Sequence, residues 1–499
     1  MLRTFTFMEC TPWARYRAEW FSGVGAARRD VLAGMVGTFA LIPEVIAFSF
    51  VAGIDPEVGL FASFVIGIII ALAGGRPAMI SGAAGSVALV AAALVHVHGL
   101  QYLLAATLLA GFLQILFGLL RLDVLLRFVS RSVRTGFVNA LAILIFSAQV
   151  PQILGVSWYT YAMIAGLAII YLVPKVTTAI PSPLICIVVL TIISVAFPMP
   201  IHTVADLGRL PSSLPSLALP NLPFTWEMLR IVMPFAFAMG AVGLLESMMT
   251  ASVADDLTET NSSKARECIG LGLANIAAGL FGGIAGCGMI GQTVGNVRYG
   301  GRGRLSTLVA GVFLLIVIVP LRPWVAQVPV AALVAIMIMV SISTFSWGSL
   351  ADLARHPKVS GVVMLATVAV TVATHDLFAG VAVGVLLSGV FFSFKVMTMM
   401  RVQTTYDPTT DTRIYTVSGQ IFFASADMFA EEFDLGDTTR KVRIDLTAAH
   451  LWDVTAVGTL EDVVTKMRRQ GMDVELIGMN EASAILVDRH APMVRKVTG

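Results

Sequence analysis

From Pro77 to Leu120 the chain runs for 44 residues without an Asp, Glu, Lys or Arg. About 20 mostly apolar residues carry a helix across a ~30 Å hydrocarbon layer, so this stretch alone is long enough for two crossings if one is short. It has many companions. Between Asp30 and Asp55 the only charge is Glu44, 18 uncharged residues separate Glu57 from Arg76, and Thr135–Pro174 and Val176–Ala205 add 40 and 30 more. The second half offers Ile231–Ala254 (interrupted only by Glu246), Cys268–Val297, Leu305–Leu321, Pro323–Ala351, Val359–Thr374 and Leu377–Phe394. The runs together predict about 14 crossings. Only 13% of the 499 residues are charged, against roughly a quarter in soluble proteins, which excludes a soluble enzyme as the reading of the whole chain. A net charge of +2 gives no nucleic-acid footprint.

Charge placement orients these crossings. With a cytoplasmic N-terminus, the inner loops hold sixteen Lys and Arg, among them Arg28, Arg76, Arg121, Arg131, Arg134 and Lys175, while the outer loops hold Arg209, Arg230 and Arg322. That asymmetry satisfies the positive-inside rule and, with an even number of crossings, leaves both termini in the cytoplasm of a cell bound by this inner membrane. The N-terminus carries Arg3, Glu9, Arg15 and Arg17 before any apolar run, so no cleavable signal peptide is expected. Cys10, Cys186, Cys268 and Cys287 are scattered, with no CxxC pair, and read as small apolar residues. Neither a metal site nor a cofactor is expected.

The chain also reads as two halves. Glu44 follows Pro43 in the first crossing, and 38 residues later Gly82 lies in Ser81-Gly82-Ala83-Ala84-Gly85-Ser86. Glu246 lies in the first crossing of the second half, and 42 residues later Gly288 closes a Gly-rich run from Gly282. Short, small-residue segments at matching places point to an inverted-repeat transporter with broken helices. A broken helix presents unpaired N–H groups and a positive dipole end at mid-membrane. Two such ends facing each other, starting near Ile80–Ser81 and near Cys287–Gly288, make an anion site, with Ser81, Ser86 and Thr293 as hydroxyl donors. A mid-membrane carboxylate usually faces a cavity and serves ion coupling, with a structural hydrogen-bonding role as the alternative for Glu246. A cation that cancels Glu246 lets the anion bind; Thr250, one turn later, offers an oxygen if that cation is Na⁺. Glu44 is a second coupling candidate, with a helix-stabilising role as the alternative. His96 and His98 read as interfacial, and His375-Asp376 as a solvated turn.

Several segments resemble the SulP anion transporters, bacterial relatives of the SLC26 carriers: Leu41-Ile42-Pro43-Glu44-Val45-Ile46-Ala47, Gly136-Phe137-Val138-Asn139-Ala140, Glu267 to Asn275, Gly286 to Gly301 and His375 to Gly384. The resemblance implies a polytopic α-helical membrane protein of about 14 helices in a 7+7 inverted repeat, divided into core and gate, with two half-helices. It implies substrate between the third and tenth helices, at Ser81, Gly82, Ala83, Cys287, Gly288, Met289 and Gln292, and an elevator-like core movement. Relatives that couple to Na⁺ carry Asp at the position of Glu246, and many carry Arg at that of Gln292. Glu and Gln here favour proton-coupled symport of a small carboxylate or dicarboxylate such as fumarate. Na⁺-coupled bicarbonate transport, H⁺-coupled sulfate transport and an anion channel are the alternatives.

Composition shifts near residue 400. Residues 401–499 hold 15 acidic and 11 basic side chains, a balance of −4, and residues 1–400 hold 16 and 22, a balance of +6. The expected division is therefore a cytoplasmic N-terminus (1–29), a transmembrane domain (30–400, repeats about 30–200 and 228–400) and a cytoplasmic tail (401–499). In the tail, Val442–Leu446 and Val474–Gly478 read as strands, with a helix from Thr459 to near Gly471 between them. This βαβ pattern resembles a STAS domain, an α/β module, with Thr455 in the loop where anti-sigma antagonists carry a phosphorylated Ser, a helix cap being the alternative role. A homodimer through the tail is among the expected partners, beside the lipid bilayer, the anion and H⁺ or Na⁺.

Overall fold

The computed structural model describes residues 13–153, 158–176, 181–197, 201–355, 358–434, 436 and 439–491; Arg3, Glu9 and Cys10 lie outside them. Two compact units emerge, Met1–Val385 and Leu386–Gly499. The first is helical. A short α1 (Trp13–Trp20) precedes α2 (Val24–Val51), α3 (Pro56–Ala73), the two-residue strand β1 (Ser81–Gly82), α4 (Gly85–His98), α5 (Leu100–Leu119), α6 (Arg131–Ile153), α7 (Trp158–Leu172) and α8 (Ser182–Ala196). After a four-residue turn, α9 (Val204–Leu207), the same order returns: α10 (Trp226–Thr258), α11 (Lys264–Leu280), β2 (Cys287–Gly288), α12 (Ile290–Arg298), α13 (Arg304–Val325) and α14 (Val330–Thr344). The short α15 (Gly348–Arg355), α16 (Lys358–Thr374) and the first part of α17 (Leu377–Met397) complete it, α17 running on into the second unit. Among the described residues, eight helices are long and apolar enough to span a bilayer, and four shorter apolar ones accompany them.

The repetition reaches individual contacts. A Cβ on Gly67 of α3 would come within 2.7 Å of Gly311 Cα on α13, and one on Gly111 of α5 within 2.6 Å of the Gly272 carbonyl on α11. These two crossings exchange under the correspondence of α3 with α11 and α5 with α13. Glycine at both lets the backbones touch, the usual means of tight helix packing in lipid, where burial of apolar surface supplies no drive. Strands β1 and β2 pair antiparallel, Ser81 opposite Gly288 and Gly82 opposite Cys287, as equivalent segments related by an in-plane two-fold must.

One sequence boundary is corrected. Pro323 lies inside α13 and does not open the next crossing: α13 continues through Pro320 and Pro323 to Val325. The loop arginines also do more than orient the chain. Arg304, 1% exposed, donates to the carbonyls of Ala71 (3.0 Å) and Gly74 (2.8 Å) at the end of α3, and to Glu19 (2.8 Å). Arg76 reaches the Ala254 carbonyl near the end of α10 (2.8 Å), and Glu267 accepts from the Gly75 and Arg76 amides (2.7 and 3.1 Å). Each charge meets partial charges of opposite sign at a helix end or loop that lacks backbone partners.

The second unit holds a four-stranded sheet in the order β3 (Arg401–Asp407), β4 (Thr412–Ile421), β5 (Lys441–Leu451), β6 (Asp473–Ile477), antiparallel in its first pair and parallel afterwards. Helices α18 (Ala426–Glu431), α19 (Val454–Arg469) and α20 (Glu481–His490) accompany it. The β5–α19–β6 crossover matches the expected βαβ unit, but α19 begins five residues before Thr459. Asp453 caps it, its side chain accepting from the Ala456 amide, and Thr455 falls in the first helical turn.

Candidate functional site at two facing half-helices

Residues 78–90 and 287–299 are not continuous rods. Each is a strand followed by a helix, and the helices begin at Gly85 and Ile290, later than the Ile80–Ser81 and Cys287–Gly288 starts expected from sequence. The runs of Gly, Ala and Ser suit close backbone pairing as well as a helix start, and the β1–β2 pairing takes them first.

Buried side chains clamp the extended backbone. The Ile80 amide donates to Thr293 Oγ1 (3.0 Å), the Ala83 amide to Ser63 Oγ (3.0 Å), and Thr307 and Asn296 donate to the Met79 and Ala78 carbonyls (3.1 and 2.9 Å). Opposite, the Ala285 amide donates to Thr107 Oγ1 (3.1 Å), the Gly286 amide to Asn275 Oδ1 (2.9 Å) and the Gly288 amide to Ser247 Oγ (2.8 Å). Asn275 also donates to the Gly286 carbonyl (3.2 Å) and to Gln114 (2.8 Å), and the Met289 amide to the Ile80 carbonyl (2.9 Å). Irregular backbone at this depth is tolerable only when its polar groups are satisfied in this way.

Ala83, Gly288 and Met289 thus spend their amides within the protein. The donors left are those of the first helical turns, Gly85, Ser86 and Val87 on α4 and Ile290, Gly291 and Gln292 on α12, which have no partner within their helix. Neither Ala84 nor Met289, the residues preceding them, supplies a side-chain cap. Each terminus carries roughly half a positive charge.

A carboxylate stands at each of these termini. Ser86 donates its hydroxyl to Glu246 Oε2, and the Cys287 thiol reaches the same oxygen at 3.1 Å. Gln292 hydrogen-bonds Glu44 through its side chain. The contacts with the helix ends are crosswise, Glu246 of the second half meeting Ser86 of the first half-helix and Glu44 of the first half meeting Gln292 of the second, while the thiol on Glu246 comes from its own half. Thr250 donates to the carbonyls of Glu246 (2.9 Å) and Gly288 (2.8 Å), tying the carboxylate-bearing helix to β2. Ser81 is 1% exposed, and its hydroxyl has no partner among the described residues.

The remaining candidates lie elsewhere. His96 is exposed near the end of α4 and His98 packs on Tyr102 (5.1 Å between ring centres). Asp376 caps α17 through the Phe378 and Ala379 amides (2.9 and 3.2 Å). Arg131 and Arg134 are exposed on α6. Cys186 and Cys268 are buried and unbridged. Sequence reading missed the clamps at Ser63, Thr107, Gln114, Ser247, Asn275, Asn296 and Thr307. The available signal was a hydrogen-bonding side chain within an uncharged crossing.

Residues 28–168 and 162–367 match the model of the sulfate permease family, and residues 403–491 that of the STAS domain. The putative sulfate transporter YbaR of Bacillus subtilis (strain 168) is 50% identical over 476 residues, covering 95% of this chain and 98% of its own length. The solved transmembrane domain of a cyanobacterial bicarbonate transporter, BicA, superposes with a TM-score of 0.64 at 28% identity, covering 71% of this chain and 97% of its own. The overall structure of SLC26A9, 15% identical, gives 0.80 over 96% of this chain and 88% of its own, a likeness of fold. The chain belongs to the sulfate permease family, multi-pass membrane transporters of anions, and carries a C-terminal STAS domain.

Proposed function

We propose that this chain is a secondary active transporter that takes up a small anion together with protons, binding it at the opposed first turns of α4 and α12. One observation carries the reading: two uncapped helix ends that attract an anion lie beside two carboxylates that repel it. An anion is drawn to such a place only when a cation cancels the carboxylates, and a proton does so without needing a coordination shell. Glu246 is the first coupling group, Glu44 the second. Thr250 gives its one hydroxyl proton to backbone carbonyls and keeps its oxygen lone pairs, so it is the ligand that Na⁺ in place of H⁺ would use.

The proposed architecture has fourteen crossings in two inverted sets of seven. The core, α2–α5 and α10–α13, carries the site and slides against a gate of α6–α8, α14, α16 and α17. Both termini lie in the cytoplasm, inside the inner membrane, and the STAS domain mediates pairing of two chains. Gln292, an uncharged amide where a fixed cation would hold a monovalent anion permanently, favours a carboxylate or dicarboxylate such as fumarate. Sulfate or bicarbonate is the second reading, favoured by the names of the Bacillus relative and of the solved cyanobacterial neighbour.

Proteoliposomes containing the full chain and given labelled fumarate, sulfate and bicarbonate under imposed pH and Na⁺ gradients test the proposal. Accumulation of one of them driven by the pH gradient alone is expected. Uptake indifferent to both gradients defeats coupling, and uptake that follows only Na⁺ moves the cation site to Glu246 and Thr250.

A further inference from the structure

Two apolar crevices flank the helical unit, and the repeat interchanges them. One, of about 290 Å³, is walled by α5, α10, the α5–α6 connection, α6 and α17; the other, of about 520 Å³, by α13, α2, α14 and α8. Under the correspondence of α2 with α10, α5 with α13, α6 with α14 and α8 with α17, every helical wall of the first has its counterpart in the second. A cavity that occurs twice in this way belongs to the architecture and is not a local packing fault.

Their chemistry is nearly uniform. Gln114 is the one side chain with a hydrogen-bonding group among the seventeen residues lining the first, and its amide is already committed to Gly240 and Asn275. Both crevices open between exposed apolar side chains, Leu120 and Phe237 at the first, Val195 and Trp324 at the second. The second adds Thr191, Trp324 and Gln327 among nineteen lining residues. Water finds few partners in such a space, and leaving it empty forfeits dispersion contacts along every wall. In a membrane the molecule at hand is a lipid chain. Each rim also bears an exposed arginine at the end of corresponding helices: Arg121, between Leu120 and Leu122 of the first lining, and Arg322, between Leu321 and Trp324 of the second. Inversion of the repeat sets these two arginines on opposite leaflets.

We infer that the crevices are a matched pair of phospholipid sites, each taking an acyl chain from its own leaflet with an anionic headgroup at Arg121 or Arg322. Both chains lie against the helices that carry the carboxylates: Leu244 and Leu245 line the first crevice just before Glu246, and Ile42, Pro43 and Ile46 line the second around Glu44. The lipid fills the seams at which α5 and α10 meet α6 and α17, and α2 and α13 meet α8 and α14. The inference is independent of which anion or cation is carried.

The test is native mass spectrometry of the full chain purified from vesicles of phosphatidylglycerol and phosphatidylethanolamine. Two retained phosphatidylglycerols per chain are expected, one after Ala241→Trp or Val188→Trp, which fill the first and second crevice, and none in the double variant. Arg121→Gln should weaken retention at its own site about fivefold. An unchanged lipid count in the tryptophan variants, or equal retention of the zwitterionic lipid, overturns the assignment. Should a tryptophan variant fail to fold, phosphatidylglycerol with a photoreactive chain on the unaltered protein decides: labelling concentrated on α5, α10, α13 and α8 supports it, and labelling spread evenly over the lipid-facing helices overturns it.

Discussion

The two broken segments share a plan and differ in who holds them. The first, residues 78–83, is clamped mostly from the other half of the chain: Thr293, Asn296 and Thr307 all come from α12 and α13. The second, residues 285–288, is clamped mostly by its own half, through Ser247, Thr250 and Asn275, with Thr107 the exception. The carboxylates differ too. Glu246 is gripped by a hydroxyl and a thiol on one oxygen, whereas Glu44 meets the Gln292 side chain. A symmetric fold thus carries an asymmetric site, with Glu246 the more firmly placed charge and the first strand the more dependent on both halves being assembled.

Neutralising each carboxylate tests that asymmetry most directly. Glu246→Gln should reduce pH-driven accumulation in proteoliposomes to background while leaving anion exchange, because the amide keeps the contact with Ser86 and loses the proton cycle. Glu44→Gln should lower accumulation only about tenfold, the size of one ~1.4 kcal/mol interaction. Equal losses in the two variants would remove the asymmetry and make the carboxylates a joint unit.

How much of this could be read beforehand follows from which signals are local. A carboxylate in an otherwise uncharged crossing is conspicuous, so Glu44 and Glu246 stood out, as did the recurrence of Gly82 at Gly288. The helix starts did not, since glycine and alanine runs are compatible with strand and helix alike and only the β1–β2 pairing decides. The clamps were out of reach for a different reason. Thr293 and Ile80 are 213 residues apart, and nothing in either segment announces the other. Arg76 and Arg304 were legible as topology signals but not as buried caps for α10 and α3, because charge counting says where a loop lies and not what its side chains touch.

The clamps give the next largest effect. Thr293→Val strips the Ile80 amide of its acceptor, and a buried unpaired N–H costs about 1–3 kcal/mol. Asn275→Leu does the same to both polar groups of Gly286. Thermal unfolding of the full chain should drop in both, but Thr293→Val should also loosen the contact between halves, seen as faster hydrogen exchange at residues 78–83 together with 290–298. Asn275→Leu should confine its effect to 284–289. The reverse pattern would mean that the first strand is held by its own half after all.

The smallest effect comes from a carboxylate–hydroxyl pair outside the membrane, which serves as a control for Glu246 and Ser86. In β5 the Thr447 hydroxyl and amide both donate to Asp445 Oδ1, at 2.6 and 2.9 Å, beside an irregularity in the register with β4. The hydroxyl first and the amide second hold the Asp445 carboxyl below the usual carboxylate range. A carboxyl whose folded pKa is depressed contributes stability that is fully present above its unfolded value, about 3.9, and that fades as pH falls through the lower folded value. Hydrogen exchange of the Thr447 amide in the full chain, corrected for intrinsic rates, should therefore lose protection slightly as pH falls below about 4. Asp445→Asn should flatten that loss, because its amide oxygen still accepts but no longer titrates. The same substitution should leave accumulation untouched. A carboxylate held by a hydroxyl in water then changes only local opening at acid pH, whereas the same pairing at a helix end inside the bilayer is proposed to govern transport; accumulation altered by Asp445→Asn as by Glu246→Gln would mean that the membrane setting of Glu246 does not set it apart.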